Sequence, residues 1–335
     1  MTTMKAAVID RYGPADVFRI ADLPVPTPGP GDLLVKVHAS SVNPVDTKQR
    51  LGIQRAVAPK RMPAILGMDV SGVVEAVGPG VTRFAVGDAV FSSPTHKRPG
   101  TYAEYVVIAE QEAAPKPTSI SHNEAASIPL AGLTAWDCLV TAADLQAGQR
   151  VLIQAGSGGV GTLAIQLAKH LGAEVITTCS ARNAQLVTGL GADRVIDYRE
   201  QAFVDVLSEL DVVLESIGPH AWRDAVRVVR KGGVVAAIAT GFPTAAKRWG
   251  PWIAPLVVGW TLGTGVVGAK LRGKRLVPVL RSASGDNLAR LAALVDDGIL
   301  KPVVDRTFPL AEIAEAHRSN ETGRTRGKIV IEVAS

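Results

Sequence analysis

The residues with the clearest chemical potential form the turn Gly156-Ser157-Gly158-Gly159-Val160-Gly161. An apolar run, Arg150-Val-Leu-Ile-Gln154, precedes it. Behind it, Leu163, Ile165, Leu167 and Ala168 recur with helical spacing as far as His170. Glycines at the first, third and sixth positions permit a tight reversal, bring backbone N–H groups up to a pyrophosphate, and let helix and strand pack closely. The helix N-terminus adds unpaired N–H groups and the positive end of its dipole. With strand before and helix after, the pattern points to a bound dinucleotide rather than to a merely tight turn.

The next strand, Glu174 to Thr178, ends in Cys179-Ser180-Ala181-Arg182. An NAD site places Asp or Glu here, on the ribose 2′-hydroxyl. No carboxylate is present. Ser180 can donate a hydrogen bond and Arg182 can hold a 2′-phosphate as a fork, so the reading is NADPH. The plainer alternative is that Arg182 is a solvated residue at a helix start.

Stepping outward, residues 1 to about 120 carry short apolar segments (Leu33 to His38, Val70 to Val77, Ala89 to Phe91, Tyr102 to Ile108) divided by Gly-Pro turns such as Pro28-Gly-Pro-Gly31, which predict a small barrel. Ser121 and Glu124 form a capping-box pair. Beyond them strands and helices alternate, which predicts βαβ units and a parallel sheet. Leu276 to Leu280 contains Pro278 and so belongs at a sheet edge. Asp286 to Asp297 is a helix with Leu288, Leu291 and Leu294 inward, and Ile329 to Val333 is a closing strand.

Composition narrows the class. The 335 residues are 47% hydrophobic and 20% charged, a globular balance. Net charge is +5, spread along the chain apart from Lys270 to Arg275, and no nucleic-acid motif accompanies it. Two cysteines, Cys138 and Cys179, exclude a Cys-rich zinc lobe and suit a reducing compartment. No signal peptide pattern opens the chain, so the expected location is cytoplasmic. Trp249 to Ala269 contains no charge. Pro251, Pro255 and five glycines favour a buried helix, a lid or a dimer contact there, with membrane contact the lesser alternative.

Several stretches together resemble the medium-chain dehydrogenase/reductase superfamily, in its zinc-free quinone oxidoreductase and enone (alkenal) reductase branch. They are Asn43-Pro-Val-Asp-Thr-Lys48, Leu66-Gly-Met-Asp-Val-Ser-Gly-Val-Val74, Val86-Gly-Asp-Ala-Val90, Tyr102-Ala-Glu-Tyr105, Ile128-Pro-Leu-Ala-Gly-Leu-Thr-Ala135, the glycine turn and Gly327-Lys-Ile-Val-Ile331. The resemblance implies an α/β fold in which a doubly wound Rossmann domain, residues 123–285, is inserted into a GroES-like β-barrel catalytic domain, residues 1–122 plus 286–335. It also implies a cleft between the domains and a homodimer. Where zinc-dependent members hold their metal, this chain resembles them with Asn43 and Met68-Asp69; amide and thioether are poor zinc ligands, so no metal is expected.

Without a Lewis acid for an alkoxide, the favoured substrate is already polarised: a quinone, or an alkene conjugated to a carbonyl. Charge developing on its oxygen calls for aimed donors. Asn43 and Lys48 are the candidates, with Asp46 orienting Lys48 or binding the nicotinamide ribose. The resemblance also carries cofactor contacts onto Thr134, Tyr198, Ile217, Gly218, Thr240, Gly241 and Lys328. Trp249, Trp252 and Trp260 either roof the cleft over a bulky apolar substrate or bury themselves in a dimer contact. An enoyl-thioester reductase and a weakly active NADPH-binding sensor or scaffold stand as alternatives.

Overall fold

The structure, a computed structural model, describes residues 2–95, 98–239 and 241–333. They form two compact units: Met1–Leu133 with Ala283–Gly298 and Pro302–Ser335, and Thr134–Ser282 with Ile299–Lys301.

The N-terminal part of unit 1 runs through β1 (Thr3–Ile9), β2 (Phe18–Pro24), β3 (Asp32–Val42), α1 (Pro44–Arg50), β4 (Ala64–Ile65), β5 (Val70–Val77), β6 (Ala89–Ser92), β7 (Tyr105–Ala109), β8 (Ala113–Pro115), α2 (His122–Ala126) and α3 (Pro129–Trp136). β1 lies between β2 and β4 in a small sheet. β3 is long and buried along most of its length, with Leu33, Val35 and Val37 in the core it shares with Val70, Val74 and Ile108. A Cβ at Gly72 would stand 2.1 Å from the carbonyl oxygen of Lys36, so glycine lets β5 close on β3. Ser121 and Glu124 do form the capping box that starts α2. Because α2 packs on β3, β5 and β16, the unit boundary falls after Leu133 and not at residue 122.

Unit 2 contains β9 (Arg150–Ile153), α4 (Gly159–His170), β10 (Glu174–Cys179), α5 (Ala184–Gly189), β11 (Arg194–Asp197), α6 (Phe203–Val206), β12 (Leu210–Glu215), α7 (Pro219–Val228), β13 (Val229–Ala237), α8 (Phe242–Trp249), α9 (Ala254–Lys270) and β14 (Arg275–Pro278). All pairings are parallel, in the order β11-β10-β9-β12-β13-β14. Strand order reverses between β9 and β12, the switch point at which such sheets bind nucleotides. Leu152, Ile176, Val213 and Val235 fill the core with Trp222 of α7. Pro278 lies on the edge strand β14, where its missing N–H costs no ladder bond.

The chain returns to unit 1 through α10 (Gly285–Asp296), β15 (Val304–Pro309), α11 (Ile313–Glu321) and β16 (Lys328–Glu332). β16 closes the larger sheet, ordered β15-β16-β3-β5-β6-β8 with β7 also on β3. α10 buries Leu288 and Leu291 as expected; Val295, rather than the half-buried Leu294, completes that face.

Of the readings of the uncharged segment, a wholly buried helix does not hold. Only one face of α9 packs, through Ala254, Val258 and Ala269, while Trp249, Trp252 and Trp260 are all exposed. No described helix is long and apolar enough to cross a membrane.

Candidate active-site elements

The glycine turn follows β9 at the switch point. A Cβ at Gly156 would meet Thr177 Oγ1 at 2.0 Å, and one at Gly161 would meet the Ala155 carbonyl oxygen at 2.4 Å. Both glycines are therefore required by packing of the turn on its own backbone and on β10. Gly158 differs: its nearest neighbour, the same carbonyl oxygen, is 3.3 Å away, and the turn is open on that side. Ala155 holds φ at 52°, a strained conformation for a residue with a side chain. The turn thus presents Ser157, Gly158 and the first residues of α4, Gly159 and Val160, half-buried, with first-turn N–H groups that the helix cannot pair internally. This cradle fits a pyrophosphate.

Asn183 was not singled out by its sequence. It is buried after β10, donates through Nδ2 to Ser157 Oγ at 2.9 Å, and leaves its Oδ1 without a partner. It ties the glycine turn to the segment that would meet the adenosine ribose. In that segment Ser180 is buried and Arg182 is exposed. The carboxylate of Asp197, at the end of β11, accepts the N–H of Ala181 at 2.7 Å and that of Arg199 at 2.9 Å. Those bonds lower its pKa, with the Arg199 N–H as the largest cause. Tyr198 is exposed, and the Arg199 guanidinium lies 5.8 Å from its ring centre.

Glu215, also missed in the sequence, fixes the next turn. Its carboxylate is fully buried and accepts the N–H groups of Ile217 at 2.6 Å and Gly218 at 2.5 Å, with Trp222 Nε1 at 2.8 Å on the other oxygen. Burial pushes its pKa up. Gly218 needs φ 133°, and Gly241, at φ 76°, would place a Cβ 2.4 Å from Pro219. The turns after β12 and β13 therefore touch. Thr240 lies outside the described residues. Thr134 is buried in α3, where unit 2 begins.

Unit 1 holds a separate polar centre. The register Ile329↔Val42 brings Lys328 beside Asn43. The Lys328 ammonium donates to Asn43 Oδ1 and, at 3.1 Å, to Asp69 Oδ2. That carboxylate oxygen also accepts Asn43 Nδ2 at 2.8 Å and Ser41 Oγ at 2.6 Å, while Oδ1 accepts the N–H of Leu130 at 2.7 Å. Asp69 is completely buried, and Lys328 and Asn43 nearly so.

This arrangement revises two expectations. Lys328 does not extend as a free side chain for a cofactor; a buried ammonium needs a counter-charge and takes Asp69. Asn43 has its carbonyl and one amide hydrogen committed inside unit 1. Asp46 is revised as well. At the third position of α1 its Oδ2 turns back to the Asn43 backbone N–H at 2.8 Å and accepts Tyr102 Oη at 3.2 Å. Lys48, two residues on, faces elsewhere, so Asp46 does not orient it. Burial raises Asp46 to about 7, and its Oδ1 is unpaired. Lys48 is half-buried, its pKa lowered by desolvation, with no hydrogen bond or ion pair among the described residues. Arg50 at the end of α1 and His317 of α11 are both fully buried, and burial holds the histidine neutral with a pKa of about 3.

Among the described residues, no three His, Cys, Asp or Glu side chains gather to hold a metal. Asn43 and Asp69 instead share the Lys328 ammonium.

An open parallel sheet with reversed strand order, a glycine turn at its switch point and a β-rich unit built from both chain ends define a nucleotide-dependent oxidoreductase fold. Comparison agrees. The alcohol dehydrogenase GroES-like domain family matches residues 29–118, and the zinc-binding dehydrogenase family matches residues 190–331. A mitochondrial NAD(P)H oxidoreductase of Mus musculus is 36% identical over 99% of this chain and 90% of its own length. An NADPH-dependent alkenal/one oxidoreductase from the chloroplast of Arabidopsis thaliana is 35% identical over 98% of this chain and 79% of its own. The solved quinone oxidoreductase of Coxiella burnetii superposes with a TM-score of 0.88 at 34% identity, over 99% of this chain and 100% of that one. The chain belongs to the medium-chain dehydrogenase/reductase superfamily, in the branch of the quinone oxidoreductases and alkenal/one reductases.

Proposed function

We propose that this protein is an NADPH-dependent reductase of a quinone or of the C=C bond of an α,β-unsaturated carbonyl, working without a metal. The observation that carries this reading is the open glycine turn at the switch point, with Ser180 and Arg182, and no carboxylate, at the end of β10. The relatives named above, an NAD(P)H oxidoreductase and an NADPH-dependent alkenal/one oxidoreductase, support it. Bound NADPH supplies the hydride. The N–H groups of Ser157, Gly159 and Val160 hold its pyrophosphate, and Arg182 pairs the 2′-phosphate beside Ser180 and Tyr198. Ile217 and Gly218, fixed by Glu215, border the cofactor together with Gly241. Lys48 faces the negative charge that develops on the substrate oxygen, since its ammonium is partly desolvated and uncommitted. Asn43 and Asp46 act as positioning residues that fix the start of α1 beneath it.

The test is a titration of NADPH and NADH by fluorescence, followed by turnover on 1,4-quinones and alkenones with a chelator present. Arg182→Ala should lower the NADPH-over-NADH preference by roughly ten- to a hundred-fold, the worth of a charge-assisted phosphate contact. An unchanged preference overturns the phosphate assignment, and chelator-sensitive turnover restored by zinc overturns the metal-free reading.

A further inference from the structure

We propose that α8 and α9 form a docking surface for an anionic lipid bilayer. This inference stands apart from the reductase reading.

Ile253, Leu256, Trp260, Val267 and Leu271 follow one another at helical spacing and form one stripe along α9. Leu256 and Trp260 are each 76% exposed and Leu271 is 83% exposed, and Trp252 adds a 70% exposed indole at the N-terminal end. No other described part of the chain covers them. The opposite face is seated on unit 2, near Trp222 and Leu276. The helix is therefore anchored on one side and apolar on the other. A continuous exposed apolar patch of this kind marks a contact surface.

Charge selects the partner. Between Asp224 and Asp286 the chain has no acidic residue and ten lysines and arginines. Lys247 and Arg248 precede the stripe, and Lys270, Arg272, Lys274 and Arg275 cluster around its end. Tryptophans and leucines between basic ends make an interfacial pattern: indoles sit at headgroup depth, and lysines and arginines meet lipid phosphates. A cavity of about 440 Å³ opens between α7 and α9, with Arg223, Arg227 and Arg272 in its wall. Asp224 lies 3.8 Å from Arg227. The cavity faces the seated side of α9, away from the stripe, and adds to the basic charge around the helix. With 17 residues, α9 would lie in the interface rather than cross the bilayer. A second copy of the chain fits poorly. A two-fold contact would set the basic ends of the stripe against those of its copy.

The experiment is co-sedimentation of the full chain with vesicles of phosphatidylcholine alone or mixed with phosphatidylglycerol. Tryptophan emission is followed in parallel, and NADPH binding serves as the check on folding. The protein should bind the mixed vesicles with a blue shift, bind the neutral vesicles weakly, and release as salt rises. Trp260→Glu should lower binding at least ten-fold. Arg272→Glu should lower it roughly five-fold or more, about 1 kcal/mol per basic residue removed. Both variants should keep NADPH binding. Failure of the wild type to bind either vesicle overturns the proposal, as does equal binding to both. Vesicle-independent dimers dispersed by Trp260→Glu would also overturn it, in favour of a self-contact.

Discussion

The glycine turn of unit 2 and the Asp69 centre of unit 1 both handle charge, by opposite means. The turn removes side chains so that backbone N–H groups face outward at the end of a sheet. The centre gathers side chains from β3, β16, the start of α1 and Asp69, just ahead of β5, around one buried ammonium. In the first, function depends on space that a methyl group would fill. In the second, it depends on a balance of charges that no single residue supplies.

Three substitutions would break or sharpen this contrast. The largest effect is expected at Gly161→Val. Its Cβ would stand 2.4 Å from the Ala155 carbonyl oxygen, a backbone atom that cannot rotate away, so the turn must open. NADPH affinity should fall at least about a hundred-fold, the worth of two or more charge-assisted bonds. A Kd within a few-fold of wild type would show that the turn tolerates side chains. Next comes Lys328→Met, which leaves Asp69 buried without its cation. Urea unfolding should show a loss of about 3–5 kcal/mol. Adding Asp69→Asn to that variant should return part of it, whereas simple additivity would deny the pairing. The third concerns Asp46, raised by burial from 3.8 to about 7. Between those values the unfolded chain gives up its proton while the folded chain keeps it, so wild-type stability should fall as pH rises through this window. Relative to Asp46→Asn, which stays neutral, the loss should be on the order of 2–4 kcal/mol. A difference that does not vary with pH would mean that Asp46 ionises normally in the fold.

The two regions also differ in how far they could be read from the residues. The turn is local: its strand, glycines and helix are contiguous, so periodicity and spacing suffice. The parallel sheet, the edge position of Pro278 and the Ser121 cap follow from equally local signals. Lys328 and Asp69 are 259 residues apart, and only the register of β16 on β3 joins them. Asn183 and Glu215 escape for a related reason. Their partners are backbone or hydroxyl groups at turns, and no residue type announces a buried acceptor. α9 misleads because an uncharged run signals burial on average, while the fold gives this helix only one face to bury.

Lys328 lies seven residues before Ser335, and its counter-ion lies in the first quarter of the sequence. On a ribosome the whole of unit 2 emerges in between, with nearly all of its sheet strands consecutive. Asp69, Asn43 and the sheet around β3 must wait until β16 has been made before their charges balance. Synthesis therefore imposes an order in which the nucleotide-binding unit matures on a chain whose other unit is still incomplete, and the final strand closes the protein both mechanically and electrostatically.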